Sequence, residues 1–486
     1  MQAEHSRALR LAEQATGLAQ PRLKRRLDDS TVVISVDADM PMSRLTARVL
    51  VATLRRGLGN LVLNPDGLPS ELVDELERTA LSIDQTRPLR IERRQDGATT
   101  RVHIGTDAPG GVIRVVPDGY GAHIAGVPSA VIRLARPANG LGAIYAAALG
   151  AAEVFKHTAG VVSRRRVMHR HLRFCPVSLS TDLSAAPDID ERTLDLTVIG
   201  LGAIGTGIAL ILGELPLDGR IVAVDRQRFA PENRGTYSLG GWADVAAAPW
   251  KVDLAMTSLS RFSVTPFHEP VEQLIAAVDA GLVPWFPTVL TALDSSAGRR
   301  EAQRLWPDRL IDAATGDTML GIHDHRHGVD PCMMCVFPAN GGGPSGADQI
   351  ANRLGLSTDL LAHADTLLSE EHLTGLDDEQ RRVLEPHLGT PMCGLAHATG
   401  LTDIDDDYQP SVPFVSLQAA CLSMGRLLGA LQGVPVAANL VQYDGLFGPQ
   451  TATRESMRSR PDCMCSVRST AITQVRTIRA ANTGLN

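Results

Sequence analysis

The chain has 486 residues, with 47 Lys+Arg against 54 Asp+Glu, a formal net charge of −7, 44% hydrophobic residues and 21% charged ones. These proportions belong to a folded protein of two or three domains and exclude wholesale disorder, and the mildly acidic balance excludes the basic footprint of a nucleic-acid binder. No leader with a charged and then apolar pattern is legible, and the longest apolar run, 141–152, is broken by Glu153 and Lys156, so the expectation is a cytoplasmic protein with no membrane span.

Residues 1–27 read as a helix with a basic end, Pro21-Arg-Leu-Lys-Arg-Arg26. A β-branched run over 31–36 predicts a strand, helical periodicity follows over 43–58, and 61–63 is a further apolar run. Pro69 and Ser70 open a helix over 69–83, in which Leu72, Val73 and Leu76 recur at helical spacing. Strands are expected at 101–104, 112–116 and 130–134, and 140–155 reads as a small-residue helix. Together these make an α/β domain over 1–163 without a chemical motif. The stretch 164–192, Arg-rich and then rich in Ser, Asp and Pro, reads as a linker to a second α/β region over 193–486. There a strand at 194–199, a turn at 200–205, a helix at 206–215 and a strand at 220–224 form a βαβ unit, the opening of a doubly wound sheet. A later strand over 288–293 ends in Asp294. No internal repeat is legible at the level of motifs.

Gly200-Leu-Gly-Ala-Ile-Gly205 is a G-x-G-x-x-G set directly after a strand and at the start of a helix. Gly200 permits the tight turn, Gly202 lets a phosphate approach the backbone, and Gly205 lets helix and strand pack, while the helix N-terminus offers N–H groups to the phosphate. Asp225, 20 positions beyond Gly205, closes the second strand, where an acid binds ribose hydroxyls. The turn alone suits NAD as well as ATP; Asn233, Arg234, Lys251 and Asp294 discriminate. Strand carboxyl ends converge on the ligand, so cations and a carboxylate would meet one phosphate chain. Hydride transfer needs no such set, whereas nucleotidyl transfer uses cations on the phosphates and a carboxylate for Mg²⁺. Taken singly, Arg234 reads as a surface charge, Asp294 as a helix N-cap and Lys251 as a solvated side chain. Lysine is scarce here: Lys24, Lys156 and Lys251 are the only three, and the other 44 basic residues are arginine. Lys24 and Lys156 read as ordinary helix-end residues.

Seven cysteines stand at 175, 332, 335, 393, 421, 463 and 465, an odd number that disfavours a disulfide framework. Cys332-Met-Met-Cys335 and Cys463-Met-Cys465 supply four thiolates in two pairs, a donor set for a closed structural zinc. His323, His325 and His327 alternate along what reads as a polar edge strand. Cys421, in the apolar periodic stretch 415–431, reads as a small hydrophobe, and Cys175 as incidental in the linker. Cys393 lies in Gly389-Thr-Pro-Met-Cys-Gly-Leu-Ala-His397, a glycine-flanked loop suited to an exposed thiolate nucleophile.

With Arg299, Arg300 and Pro410-Ser-Val-Pro-Phe-Val-Ser416, these elements run over 194–466 in an order that resembles the ThiF/MoeB/ubiquitin-activating enzymes. The resemblance implies a Rossmann-like doubly wound adenylation domain with a structural zinc, preceded by an inactive, adenylation-like half. It implies ATP and Mg²⁺ as cofactors beside Zn²⁺, with Asp225 on the ribose, Asn233, Arg234 and Lys251 on the phosphates, and Asp294 on magnesium. Two departures stand out: Gln227 where the family often has a second acid, and Asn233-Arg-Gly-Thr in place of a longer Asn-Leu-x-Arg-Gln. The activity implied is adenylation of a ubiquitin-like protein ending in glycine, then thioester formation on Cys393, within a segment at about 340–410, and transfer to a separate conjugating protein of a bacterial pathway. Arg22, Arg25 or Arg26 would reach the opposite active site, and a homodimer is compatible with the fold. An alternative keeps adenylation, of a peptide or sulfur carrier, and drops the thioester. A further alternative is a nucleotide-binding scaffold or an NAD oxidoreductase.

Overall fold

The computed structural model describes residues 9, 12–13, 15–93, 97–107, 112–126, 131–161, 171–187, 190–338, 346–362, 366–390, 392, 395, 399, 412–434 and 438–482. Strands β1 (Thr31–Val36), β2 (Asn60–Leu63), β3 (Arg90–Ile91), β4 (Thr100–Ile104), β5 (Ile113–Asp118), β6 (Gly121–Ala125) and β7 (Leu172–Phe174) form one sheet in the order 3-2-1-4-5-6-7. A second sheet holds β8 (Arg192–Ile199), β9 (Leu217–Val224), β10 (Phe262–Phe267), β11 (Thr288–Thr291), β12 (Arg309–Gly316), β13 (Met319–Arg326), β14 (Leu440–Asp444) and β15 (Thr453–Glu455), in the order 10-9-8-11-12-13-14-15.

Counted from its own first strand, each sheet runs 3-2-1-4-5-6-7, and the second adds one strand at its edge. In each, the first five strands are parallel and the sixth and seventh antiparallel. The chain therefore carries one topology twice, a repeat of strand order that its motifs do not show. Parallel strands are covered on both faces, which is why Val32–Ile34 and Leu196–Ile199 are near-continuous apolar runs, all buried.

The helices that frame the core and the sites are α1 (Gln20–Asp28), α2 (Ser43–Arg55), α3 (Ser70–Ile83), α4 (Gly140–Ala159), α5 (Ala203–Gly213), α6 (Trp242–Ala247), α7 (Lys251–Met256), α8 (Ser296–Gln303), α9 (Met333–Val336), α10 (Pro413–Leu431) and α11 (Ser469–Asn482); further helices span Val271–Asp279, Gly346–Leu354, Thr358–Ala362 and Asp378–Leu384. The halves meet through α4 and α10, which pack on each other and on α2 and α5 respectively. Small residues let these helices pack closely within each half: a Cβ on Gly150 of α4 would lie 2.5 Å from Val115 of β5, and one on Gly207 of α5 would lie 2.8 Å from Ala420 of α10. Phe155 stacks on Phe414 with ring centroids 5.4 Å apart, and the buried hydroxyls of Tyr145 and Tyr443 lie 3.1 Å apart. One continuous apolar core runs through both halves. Helix α10 is long and apolar enough to cross a membrane, but 89% of it is buried here, so its apolarity serves this core.

Three expectations need correction. The stretch 164–192, expected as a linker, contributes β7, which pairs with β6, and Cys175 behind it is fully buried. Residues 131–134 are not a strand; β5 pairs instead with Gly121–Ala125, whose small residues give no β-branched signal. Strand β13 is no edge, since it lies between β12 and β14, so its histidines face packed surroundings rather than water. His325 is 2% exposed, and burial pushes its imidazole down to about 4.

Candidate nucleotide site and metal centre

In the second sheet the strand order reverses between β8 and β11, which opens a crevice at their carboxyl ends. Gly200 leaves β8 with φ +87°, and a Cβ there would lie 2.6 Å from the carbonyl oxygen of Ala292. A Cβ on Gly205 would lie 2.0 Å from the Gly200 carbonyl oxygen, so only glycine lets α5 sit against the turn. Gly202 is different: the nearest atom to an added Cβ is the Tyr237 hydroxyl, 3.7 Å away. Open ground therefore lies over the first turn of α5, where backbone amides point at an incoming phosphate.

Asp225 accepts hydrogen bonds from the Leu201 amide at 2.7 Å and the Gln227 amide at 2.8 Å. It pins the glycine turn to the end of β9, and a carboxylate keeps acceptor capacity for a sugar hydroxyl beyond those two bonds. Lys251 opens α7 and is 5% exposed; its ammonium donates to Gln227 Oε1 at 2.5 Å and lies 5.3 Å from the centre of the Tyr237 ring. The glutamine that departs from the family pattern is thus a neutral acceptor for this lysine. Arg234 is 7% exposed, with its guanidinium 4.2 Å over the Trp242 ring. Neither cation is the surface charge that each read as singly. Asn233 closes its own 3₁₀ turn, accepting from the Ala230 amide at 2.9 Å.

Asp294 is exposed just beyond β11, and the cap of α8 is its neighbour Ser295, which accepts from the Gly298 amide at 3.1 Å. Arg299 turns inward, donating to the Leu293 carbonyl at 2.7 Å and lying 3.4 Å from the buried carboxylate of Asp312, and Arg300 donates to the Phe337 carbonyl at 3.3 Å. At the basic helix end of the first half, two of the three arginines are engaged within that half. Arg26 caps α4 by donating to the Thr158 carbonyl at 2.8 Å, and Arg25 donates within α1 to Pro21. Cys393 and His397 lie outside the described residues.

Sequence reasoning missed two residues. Tyr237 stands between Gly202 and Lys251 and also edges the Phe229 ring at 5.5 Å. Arg56, just past α2 in the first half, donates to the carbonyl oxygens of Arg234 and of Gly240, the latter at 2.9 Å. Next to them, a cavity of about 510 Å³ lies between the halves, walled by α2, the end of α3, the end of α5 and residues 237–241.

The four cysteines of the two pairs come together although 131 residues separate Cys332 from Cys463. Their sulfurs all lie within 4.8 Å of one another, with spacings of 3.9 Å (Cys332–Cys335), 3.6 Å (Cys332–Cys463) and 3.5 Å (Cys335–Cys465). Sulfurs at about 2.3 Å from a tetrahedral zinc stand about 3.8 Å apart, so the set fits the ion. Burial pushes the Cys332 thiol far up and the Cys335 thiol up to about 11, so a bound dication would supply the charge that ionises them. The Arg460 amide donates to Cys335 Sγ at 3.3 Å. Such a centre ties the loop after β13 to the C-terminal segment. Helix α11 is fixed from its far side by Arg479, which donates to Asp279 at 2.7 Å and to the Arg304 carbonyl at 2.7 Å. Among the described residues no other cluster of His, Cys, Asp and Glu gathers in this way, the three histidines of β13 and its turn included.

No family model matches the chain, and no curated protein matches it. Among solved structures it is similar to E. coli MccB at 14% identity and a TM-score of 0.35, covering 56% of this chain and 64% of that one. E. coli MccB with ATP gives 14%, 0.34, 56% and 65%, and selenomethionine PaaA gives 19%, 0.22, 26% and 40%. The chain thus spans less than two thirds of the first of these structures.

Proposed function

We propose that the second half, 193–486, is an ATP-dependent adenylating domain that activates the C-terminal carboxylate of a peptide or small carrier protein, with 1–163 as a supporting half. The observation that carries the reading is the open glycine turn at the β8/β11 switch point, with Tyr237 facing it and buried Lys251 against Tyr237. In the step proposed, a carboxylate oxygen of the substrate attacks the α-phosphorus of ATP. The P–O bond to the β-phosphate breaks, and pyrophosphate leaves as the acyl-adenylate forms. Amides of the first turn of α5, Lys251 and Arg234 would stabilise the charge that builds on the phosphate oxygens, and Asp225 would hold the ribose. Asp294, exposed at the end of β11, would hold Mg²⁺, which neutralises the leaving pyrophosphate. Zinc on Cys332, Cys335, Cys463 and Cys465 would be structural.

For MccB, the solved complexes name ATP in one case and N-formylated MccA in another. For this chain the reading rests on the site itself. A ubiquitin-like substrate, a thioester on Cys393 and a separate conjugating partner are narrower expectations, and no described residue supports them, so the proposal ends at the adenylate. The test is carrier-dependent exchange of labelled pyrophosphate into ATP. Exchange that no peptide or carrier stimulates would sink the adenylation reading. A thiol-sensitive adduct on a non-reducing gel, lost in Cys393→Ala, would extend the reading to the thioester.

A further inference from the structure

We infer that Arg56, which belongs to the half without a glycine turn, is a positioning residue for the adenylation site of the other half; this rests on the adenylation reading above. Residues 234–241 carry Tyr237 past Gly202 and Lys251, and on one side they pack into a small cluster of Phe229, Tyr237, Leu239 and Leu254. One side of residues 237–241 faces the cavity of about 510 Å³ between the halves. On the side of the first half the segment is held by Arg56: one guanidinium fork donates to the carbonyl of Arg234 at one end and to that of Gly240 at the other.

The fork is well made for this. Arg56 is 6% exposed, and no carboxylate lies within ion-pair distance of it among the described residues, so backbone carbonyls are its nearest acceptors. Burial and then the charge of Arg234 push it down to about 9, which leaves it a cation at neutral pH. Charge-assisted bonds from a buried guanidinium are stronger than neutral ones, and the planar fork fixes both carbonyls in one geometry. A second contact fixes the same end of the loop: a Cβ on Gly241 would lie 2.0 Å from the Ser82 carbonyl at the end of α3. The first half thus holds the backbone from which the Arg234 side chain departs, and Arg234 is the group that would meet the phosphates.

A catalytic cation misplaced by about 1 Å loses about 100-fold in rate. In the full-length enzyme, Arg56→Met keeps the aliphatic stem and removes the fork. It should lower kcat for pyrophosphate exchange by roughly 10- to 100-fold while the KM for ATP moves less than about 3-fold. Because Arg56 acts through Arg234, the double variant R56M/R234A should be no slower than R234A alone, whereas independent structural damage would multiply the two losses. Arg56→Lys, which reaches one carbonyl, should recover part of kcat. A direct readout needs no catalysis: Arg234 stacks on Trp242, so the Trp242 emission, isolated among four tryptophans by subtracting the Trp242→Phe spectrum, should shift in R56M. Wild-type kcat in R56M, losses that multiply in the double variant, or an unchanged Trp242 emission would each overturn the inference. Should the wild-type chain catalyse no exchange with any carrier, the adenylation reading fails, and the emission shift still decides whether Arg56 sets the position of Arg234.

Discussion

The two halves share a strand order and differ at the turn after their first strand. In the second half β8 is followed by Gly200 and Gly202, and α5 starts at once. In the first half the same count from the end of β1 falls on Asp37 and Asp39, and α2 starts only at Ser43, after Met42 in a left-handed conformation with φ +62°. The Asp37 carboxylate accepts from the Asp39 amide at 3.2 Å, so it occupies a donor that a phosphate would need. Two carboxylates where a phosphate would sit repel it, and the late helix start moves the open amides away. Burial sets the topology in both halves alike, whereas a few turn residues make the difference between the glycine turn of one and the acidic turn of the other. The first half shares the packing without the glycine turn, and its Arg56 holds the backbone of the segment 234–240 in the other half.

That comparison can be broken most forcefully by giving the active turn the chemistry of the other. Gly202→Asp puts a carboxylate over the first turn of α5, where a Cβ meets nothing closer than 3.7 Å, so the fold should survive. Carrier-dependent pyrophosphate exchange should fall by more than about 1000-fold with an unchanged thermal midpoint; exchange near the wild-type rate would refute the placement of the phosphates. Next in size is Lys251→Ala, which should cost about 100-fold in exchange, while Lys24→Ala, whose ammonium only pairs with Asp28 on the surface of the first half, should cost nothing. Metal analysis should then find about one zinc per chain. Cys332→Ser should lose it, lower the thermal midpoint and expose α11 to protease; a zinc-free chain of wild-type stability would remove the metal from this account.

The smallest effect concerns a feature the halves share. Their sixth strands each carry a buried histidine, His123 on β6 and His325 on β13, and burial pushes both down to about 4. Each is neutral when folded and takes up a proton on unfolding at a pH below about 6.5. The stability they support is therefore complete above about pH 6.5 and is lost as the pH falls toward 4. From pH 7 to 5.5 each should account for about 1 kcal/mol of lost unfolding free energy. His123→Asn and His325→Asn should each flatten that slope in denaturant titrations; a slope unaltered in both would show that the halves do not titrate alike.

Much of the second half was readable because its signals are local. Glycines at 200, 202 and 205 follow a strand directly, Asp225 closes the next one, and the two cysteine pairs name their own partners. The duplication was not readable, since the first half keeps strand order without the glycine motif, and order is a property of pairing rather than of any residue. Strand β7 hid in a polar stretch because an edge strand of three residues needs little apolar character. Arg56 hid for another reason: 178 residues separate it from Arg234, and neither periodicity nor spacing marks a contact made across two domains. Lys156 was misread as ordinary; it is buried and paired with buried Glu153 at 2.5 Å.

Helices α4 and α10 each stand between the sixth and seventh strands of their half and pack on each other, as one helix and its own copy would in a pair of identical chains. A two-fold homodimer imposes a strict rule on such an arrangement: every substitution appears in both partners at once. Aspartates could not enter one turn without entering the other, and no arginine could specialise in serving its neighbour. Joining the halves in one chain lifts that rule. It also makes their encounter intramolecular, so the completeness of the site does not change on dilution.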